Sequence, residues 1–276
     1  MILRRVMEHV KAQNWIAVAI DFVIVVVGVF IGIQVSNWNA ARAERADERA
    51  LLERLHEETR ALLEIQKSEF ADQAPRVEAL TAVHPLLFDQ TPGRPLTDVE
   101  CRLIAVSHWQ PAPTDELPIL EEAISTGRFE LISSQNIKAN LRSFSLVRDR
   151  SRRQHAEAIN ELYRLTSRHP DAVWYVRVAG DGADDPLLKM RRDPAQWARR
   201  AGEGFRWANG CDLERMRSDK AFLAEYVDNV SRLNSFLERY EKLIGVLTDL
   251  EASLSAELGV PGSSDAGSDR EGPLRH

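Results

Sequence analysis

Apolar residues are distributed along this chain in two distinct ways. From Trp15 to Trp38 they are continuous, WIAVAIDFVIVVVGVFIGIQVSNW, with Asp21 the sole charge. A helix of that length reaches roughly 35 Å, enough to cross a hydrocarbon core of about 30 Å. Trp15 and Trp38 stand at its ends, where aromatic side chains anchor a span at the two interfaces. A buried core helix needs no such length and is seldom apolar on every face.

Beyond Asn39 the pattern turns periodic. Leu52, Leu55, Leu62 and Ile65 recur at helical spacing among charges, with no Gly or Pro before Phe70. The span is therefore expected to continue as an amphipathic helix that ends before Pro75 or Pro85. Asp89–Pro95 is dense in breakers and reads as a loop. Short helices are expected at 98–107 and 117–126, separated by a Pro-containing loop from Gln110 to Pro118. Gly127 is placed as a left-handed cap, and Ser133 or Ser134 starts a helix running to about Arg168. Val173–Val178 has the content of a strand, but with no partner in view it is assigned as irregular or as one turn of helix. Loops are expected from Gly180 to Gly210, with a short helix near Pro194–Arg200. The clearest element begins near Ser218. Leu223, Tyr226, Val230, Leu233, Leu237, Tyr240, Ile244, Leu247, Glu251, Leu254 and Leu258 follow steps of three and four, the pattern of a coiled-coil-like helix. After Gly259 the tail has little to bury and is expected to be disordered.

The pattern thus predicts a mostly α protein with one N-terminal transmembrane helix and an elongated helical bundle. In it the Ser218–Leu258 helix packs on the outward extension of the anchor and on the helix starting at Ser134. The divisions are 1–14, a cytoplasmic N-terminus; 15–38, a transmembrane signal anchor; 39–258, an exported helical domain; and 259–276, the tail. A cleaved signal peptide shares the order of basic then apolar residues, but its apolar region runs only about 7 to 15 residues. Arg4, Arg5 and Lys11 precede the span, and Arg42, Arg45 and Arg49 follow it, so charge barely sets the orientation. Two cysteines that would pair in an oxidising compartment favour a domain exported from the cytoplasm across a bacterial inner membrane.

Within the span, Asp21, Gly28 and Gly32 lie within about 20° of one helical line, which Asn14 and Asn39 extend. Gly28-Val-Phe-Ile-Gly32 is a small-xxx-small pattern of the kind that lets two backbones approach, and a membrane carboxyl tends to face a partner. A homo-oligomer or protein partner through the anchor is one reading. Ordinary glycines facing the lipid bilayer, with Asp21 reaching the headgroups, are the other.

Composition narrows the function classes. A formal net charge of −6 and a pI near 5.7 over 276 residues argue against a nucleic-acid partner. Cys101 and Cys211 are too few for a disulfide-dense scaffold; joined, they would staple the middle of the domain to its last helix. His84, His108, His155 and His169 are far apart and show no metal spacing, and each reads as a surface or cap residue. Asp181, Asp184 and Asp185 read as a solvated turn, and Arg148, Arg150, Arg152 and Arg153 as an exposed helical face. No nucleophile elbow, phosphate loop or dinucleotide fingerprint occurs, so neither catalytic residues nor cofactors are expected.

The anchor ending Ile33-Gln34-Val35-Ser36-Asn37-Trp38-Asn39, followed by a charged helix and by the stretch from Glu121 and Glu122 through Gly127, Leu131, Ile132 and Ile137 to Leu141, resembles a family of uncharacterised bacterial single-pass membrane proteins. The resemblance covers most of the chain before the tail. It implies a membrane-anchored helical domain and brings no established activity. The expected function is a periplasmic interaction or assembly module without enzymatic activity. The alternative is a ligand-sensing domain acting through a partner, for which converging polar groups in a pocket would be the sign.

Overall fold

The computed structural model describes residues 15–89, 93–179 and 205–261, excluding the side chains of 15–19, 21, 205 and 206. It is mostly α. The elements are α1 (Trp15–Thr81), α2 (His84–Phe88), α3 (Asp98–Ala105), α4 (Pro118–Ser125), a 3₁₀ turn (Arg128–Leu131), α5 (Gln135–Ile159), α6 (Leu165–Arg168), β1 (Val173–Ala179), β2 (Phe205–Cys211), α7 (Leu213–Ser218) and α8 (Lys220–Leu258). The chain divides into two units, residues 1–52 and 53–276. The expected N-terminal segment 1–14, the helix near Pro194, the Asp181 turn and the tail beyond 261 lie outside the described residues.

The first unit carries the apolar half of α1. Its best window has a mean hydropathy of 1.7 and is 0% buried within the protein, making it long and apolar enough to cross a membrane. Val23, Val25, Phe30 and Ile33 all stand more than half exposed.

In the second unit, the distal part of α1 continues through Pro75 to Thr81. Ala71, whose carbonyl loses its partner to the proline ring, and Pro75 are both exposed, so the missing bond falls on the wet side of the helix. Leu55, Thr59, Leu62, Gln66, Val77 and Leu80 form its buried face, while Ile65 points outward. That face runs antiparallel to α8. His56 bonds Glu251 and Ser255 at one end, and the Tyr226 hydroxyl donates to the Leu80 carbonyl at the other. The other flank of α8 packs on α5, where Asn140 donates to the Asp249 carbonyl and to Ser253. Two neighbours explain why the buried face of α8 is wider than one three-four stripe. Phe222, Phe236, Leu243 and Leu250 are buried, while Leu223, Leu237 and Ile244 are only half-buried.

Helix termini follow local chemistry. Thr97 and Glu100 close a reciprocal capping box on α3. Ser134 accepts from the Ile137 amide to start α5, and Gly127 and Gly259 adopt left-handed φ of 74° and 68°.

Two expectations need correction. The helix from Ser134 stops at Ile159 rather than near Arg168. Asn229, fully buried on α8, accepts from the Tyr163 amide at 2.8 Å and donates to the Tyr163 carbonyl at 2.8 Å. Its side chain supplies Tyr163 with the partners a further helical turn would have given. Val173–Ala179 is a strand and not an irregular segment, since Phe205–Cys211, expected to be loop, pairs with it antiparallel. The partner strand is hard to see in the sequence because it carries Asn209-Gly210. A Cβ at Gly210 would collide with the Trp174 indole unless that partly exposed ring moved aside.

Candidate functional site

The second unit contains a cavity where four segments meet. Gln66 comes from α1, the loop between α3 and α4 contributes Gln110 and Asp115, Ser151 and His155 lie one turn apart on α5, and Phe236, Arg239 and Tyr240 share a face of α8. Its volume is about 30 Å³, which fits two waters or a polar group of a few heavy atoms.

The loop is positioned from α1. Gln66 donates to the Thr114 carbonyl, and the Glu58 carboxylate accepts from the Ile119 amide at 2.9 Å, satisfying the open N-terminus of α4. Pro111 and Pro113 restrict the backbone between those two ties. Asp115 is thereby held at 1% exposure. Its Oδ1 accepts from Arg152 Nε at 2.8 Å and Nη2 at 2.6 Å. Its Oδ2 is buried without a partner, as is Oε1 of Gln110, a residue 7% exposed.

Across the cavity, the Arg239 guanidinium lies 3.9 Å from the Phe236 ring centroid, and its Nη2 is buried with nothing to donate to. Burial pushes the Arg239 pKa down, against the charges of Tyr240 and Glu238. Glu69 lies behind, bonded to Thr114 and Tyr240. Burial raises its pKa, those bonds oppose the rise, and the nearby Asp115 charge adds to it. Burial and then the Arg239 charge push the His155 pKa down, against the Asp115 charge. A buried polar atom without a partner costs about 1 to 3 kcal/mol, and Asp115, Gln110 and Arg239, all lining this cavity, each carry one.

A groove adjoins the cavity and shares Ser151 and Arg239 with it. It runs between α5 and α8, has a volume of about 390 Å³, and carries Val147 and Val246 with Arg150 and Lys242 beside them.

The residues singled out from sequence fall elsewhere. The structure joins Cys101 of α3 to Cys211 at the end of β2, with Cα atoms 5.8 Å apart. A Cβ added at Gly28 or Gly32 would meet nothing within 4 Å, and Trp38 is exposed with the Arg42 guanidinium 5.9 Å from its ring. The Trp15 and Asp21 side chains lie outside the described residues. The basic run is not one exposed face. Arg152 holds Asp115, and Arg148 bonds Glu121 at 3.0 Å, whereas Arg150 and Arg153 are exposed. His155 lines the cavity, and His169 sits between Asp219 at 2.8 Å and Glu225 at 3.0 Å, so neither is merely a surface residue. Sequence reasoning passed over Gln110, Asp115 and Arg239. The visible signals were a proline-bearing loop that carries Asp115, and Ser151 and His155 at i, i+4. Among the described residues no cluster of three His, Cys, Asp or Glu has the arrangement of a metal site. In comparisons with known proteins, the chain matches no family model, no curated protein and no solved structure.

Proposed function

We propose that this chain is a single-pass inner-membrane protein whose helical domain lies in the periplasm, binds a small ligand and acts through a partner protein, without enzymatic activity of its own. Of the two readings drawn from the sequence, an assembly module and a ligand-sensing domain, the cavity favours the second. The observation that carries it is a cavity lined by Gln110, Asp115 and Arg239, each of which carries a buried polar atom without a partner. Membrane anchoring is supported by the exposed apolar half of α1, and export by the joined cysteines.

Hydrogen exchange on the full chain in detergent micelles tests this reading, with and without the small-molecule fraction of a periplasmic extract. Added protection in the 106–117 loop and in α8 near Arg239, absent in Gln110→Leu, is expected. Identical exchange with and without the fraction overturns ligand sensing in favour of the assembly module.

A further inference from the structure

We propose that the groove between α5 and α8 seats the exposed face of α1 from a second copy of this chain, so that two helical domains pair about a two-fold axis running along their helices.

Two antiparallel registers place the parts. His56 bonds Glu251 and Ser255 while Tyr226 bonds the Leu80 carbonyl. At equal rise on both helices, Gly245, Lys242 and Arg239 of α8 stand level with roughly 61–70 of α1, and Asp249 stands just below, level with Arg60. On the other flank of α8, Asn140 bonds Ser253 and His155 packs on Phe236, which brings Arg150 of α5 level with Lys242. On α1, Glu57, Arg60, Ala61, Glu64 and Ala71 share an exposed face; on α8, Asn234, Glu238, Glu241, Gly245 and Ala252 do so. Both faces lie away from α4 and the loop before it. Arg54 and Glu58 turn toward α4, while Phe236, Tyr240 and Leu243 line the cavity beneath the loop. A two-fold along the helices lays α1 of each copy over the groove of the other at unchanged height, so the contact is reciprocal.

The order of charges selects α1 as the occupant. The groove carries Arg150, Arg239 and Lys242 toward one end and Asp249 at the other, with Val147 and Val246 between them. At the same heights the α1 face offers Glu64 to Arg150 and Lys242, and Arg60 to Asp249. The existing Lys242–Glu238 and Glu64–Lys67 pairs, at 3.7 and 3.1 Å, are exposed and local, so exchanging them across an interface costs little. Gly245 adds a steric sign. A glycine inside a helix costs about 1 kcal/mol against alanine. A Cβ there would meet nothing within 4 Å, so packing within the chain does not ask for it. A second helix backbone laid into the groove does, with the small Ala61 beside it.

Disulfide trapping between two populations of the full chain in micelles tests the contact independently of what the cavity holds. Glu64→Cys mixed with Arg150→Cys is expected to give a covalent dimer under mild oxidation, and neither population alone is expected to do so. The yield should be at least tenfold above that of Glu64→Cys mixed with Glu116→Cys, whose thiol lies on the loop side. Adding Gly245→Leu to the Arg150→Cys population fills the groove and should lower the yield at least tenfold, while an unchanged or higher unfolding midpoint establishes that this variant is folded. A yield no greater than with Glu116→Cys, or one that Gly245→Leu leaves unchanged, overturns the proposal. A dimer by size that forms no covalent bond between these positions overturns it too, since the copies then pair elsewhere.

Discussion

Glu100 shows how much one buried carboxylate organises. It accepts from the Thr97 amide at 2.8 Å and hydroxyl at 2.9 Å, and Arg94 reaches both of its oxygens. The Arg94 bond lowers its pKa most, burial opposes, and the Thr97 bonds add to the lowering, leaving it at about 2. The folded value lies below the unfolded one, so the stabilisation is fully present above about pH 4.5 and is lost as pH falls toward 2. Glu100→Gln should therefore cost about 2 kcal/mol at neutral pH, and urea titrations of wild type and variant should converge near pH 2. Equal stability at pH 7 would mean that Arg94, largely exposed, contributes nothing. Glu225 follows the same sign: burial raises its pKa, but the bonds from Arg168 and His169 outweigh that. The caps at Gly127 and Ser134 involve near neighbours and were legible in the sequence. Asp115, Gln110 and Arg239 come together only through tertiary packing, and no spacing announces them.

Among the elements, α1 and α8 were legible because long helices repeat their burial pattern many times. The β1–β2 pair was not, because Phe205–Cys211 carries Asn209 and Gly210 and becomes a strand only by pairing with residues distant in the chain. The break after Ile159 was equally hidden, since its partner is a single asparagine on α8. The apolar half of α1 poses a different problem, its small-residue face being visible in sequence while its occupant is not. Should that face pair two copies, Gly28→Ile or Gly32→Ile would separate the backbones and weaken association in a membrane two-hybrid assay, while Val27→Ile, about 100° from Gly28, would change little. Asp21→Asn would keep much of the association and Asp21→Leu would lose about 1 to 2 kcal/mol or less. Equal signals from all of these variants would leave the glycines facing lipid.

At the scale of the whole molecule, the anchor and the disulfide make one argument about compartment. An apolar span ahead of a long domain is compatible with either orientation, because the flanking basic residues are nearly balanced. The proposed export rests on the Cys101–Cys211 bond, since a bridge across 110 residues persists where thiols are kept oxidised. Closing a loop of that length stabilises the domain by about 4 to 5 kcal/mol through the unfolded chain, so losing it on the wrong side of the membrane would be costly. A reporter active only outside the cytoplasm, fused after Leu258, should therefore be active, and non-reducing mass spectrometry of protein taken from membranes should find Cys101 joined to Cys211. Replacing both cysteines with alanine should lower the unfolding free energy by about 4 kcal/mol and leave the reporter signal in place if the protein survives proteolysis. Free, alkylatable thiols together with an active cytoplasm-only reporter would reverse the orientation, and would move the cavity and any ligand it holds to the cytoplasmic side.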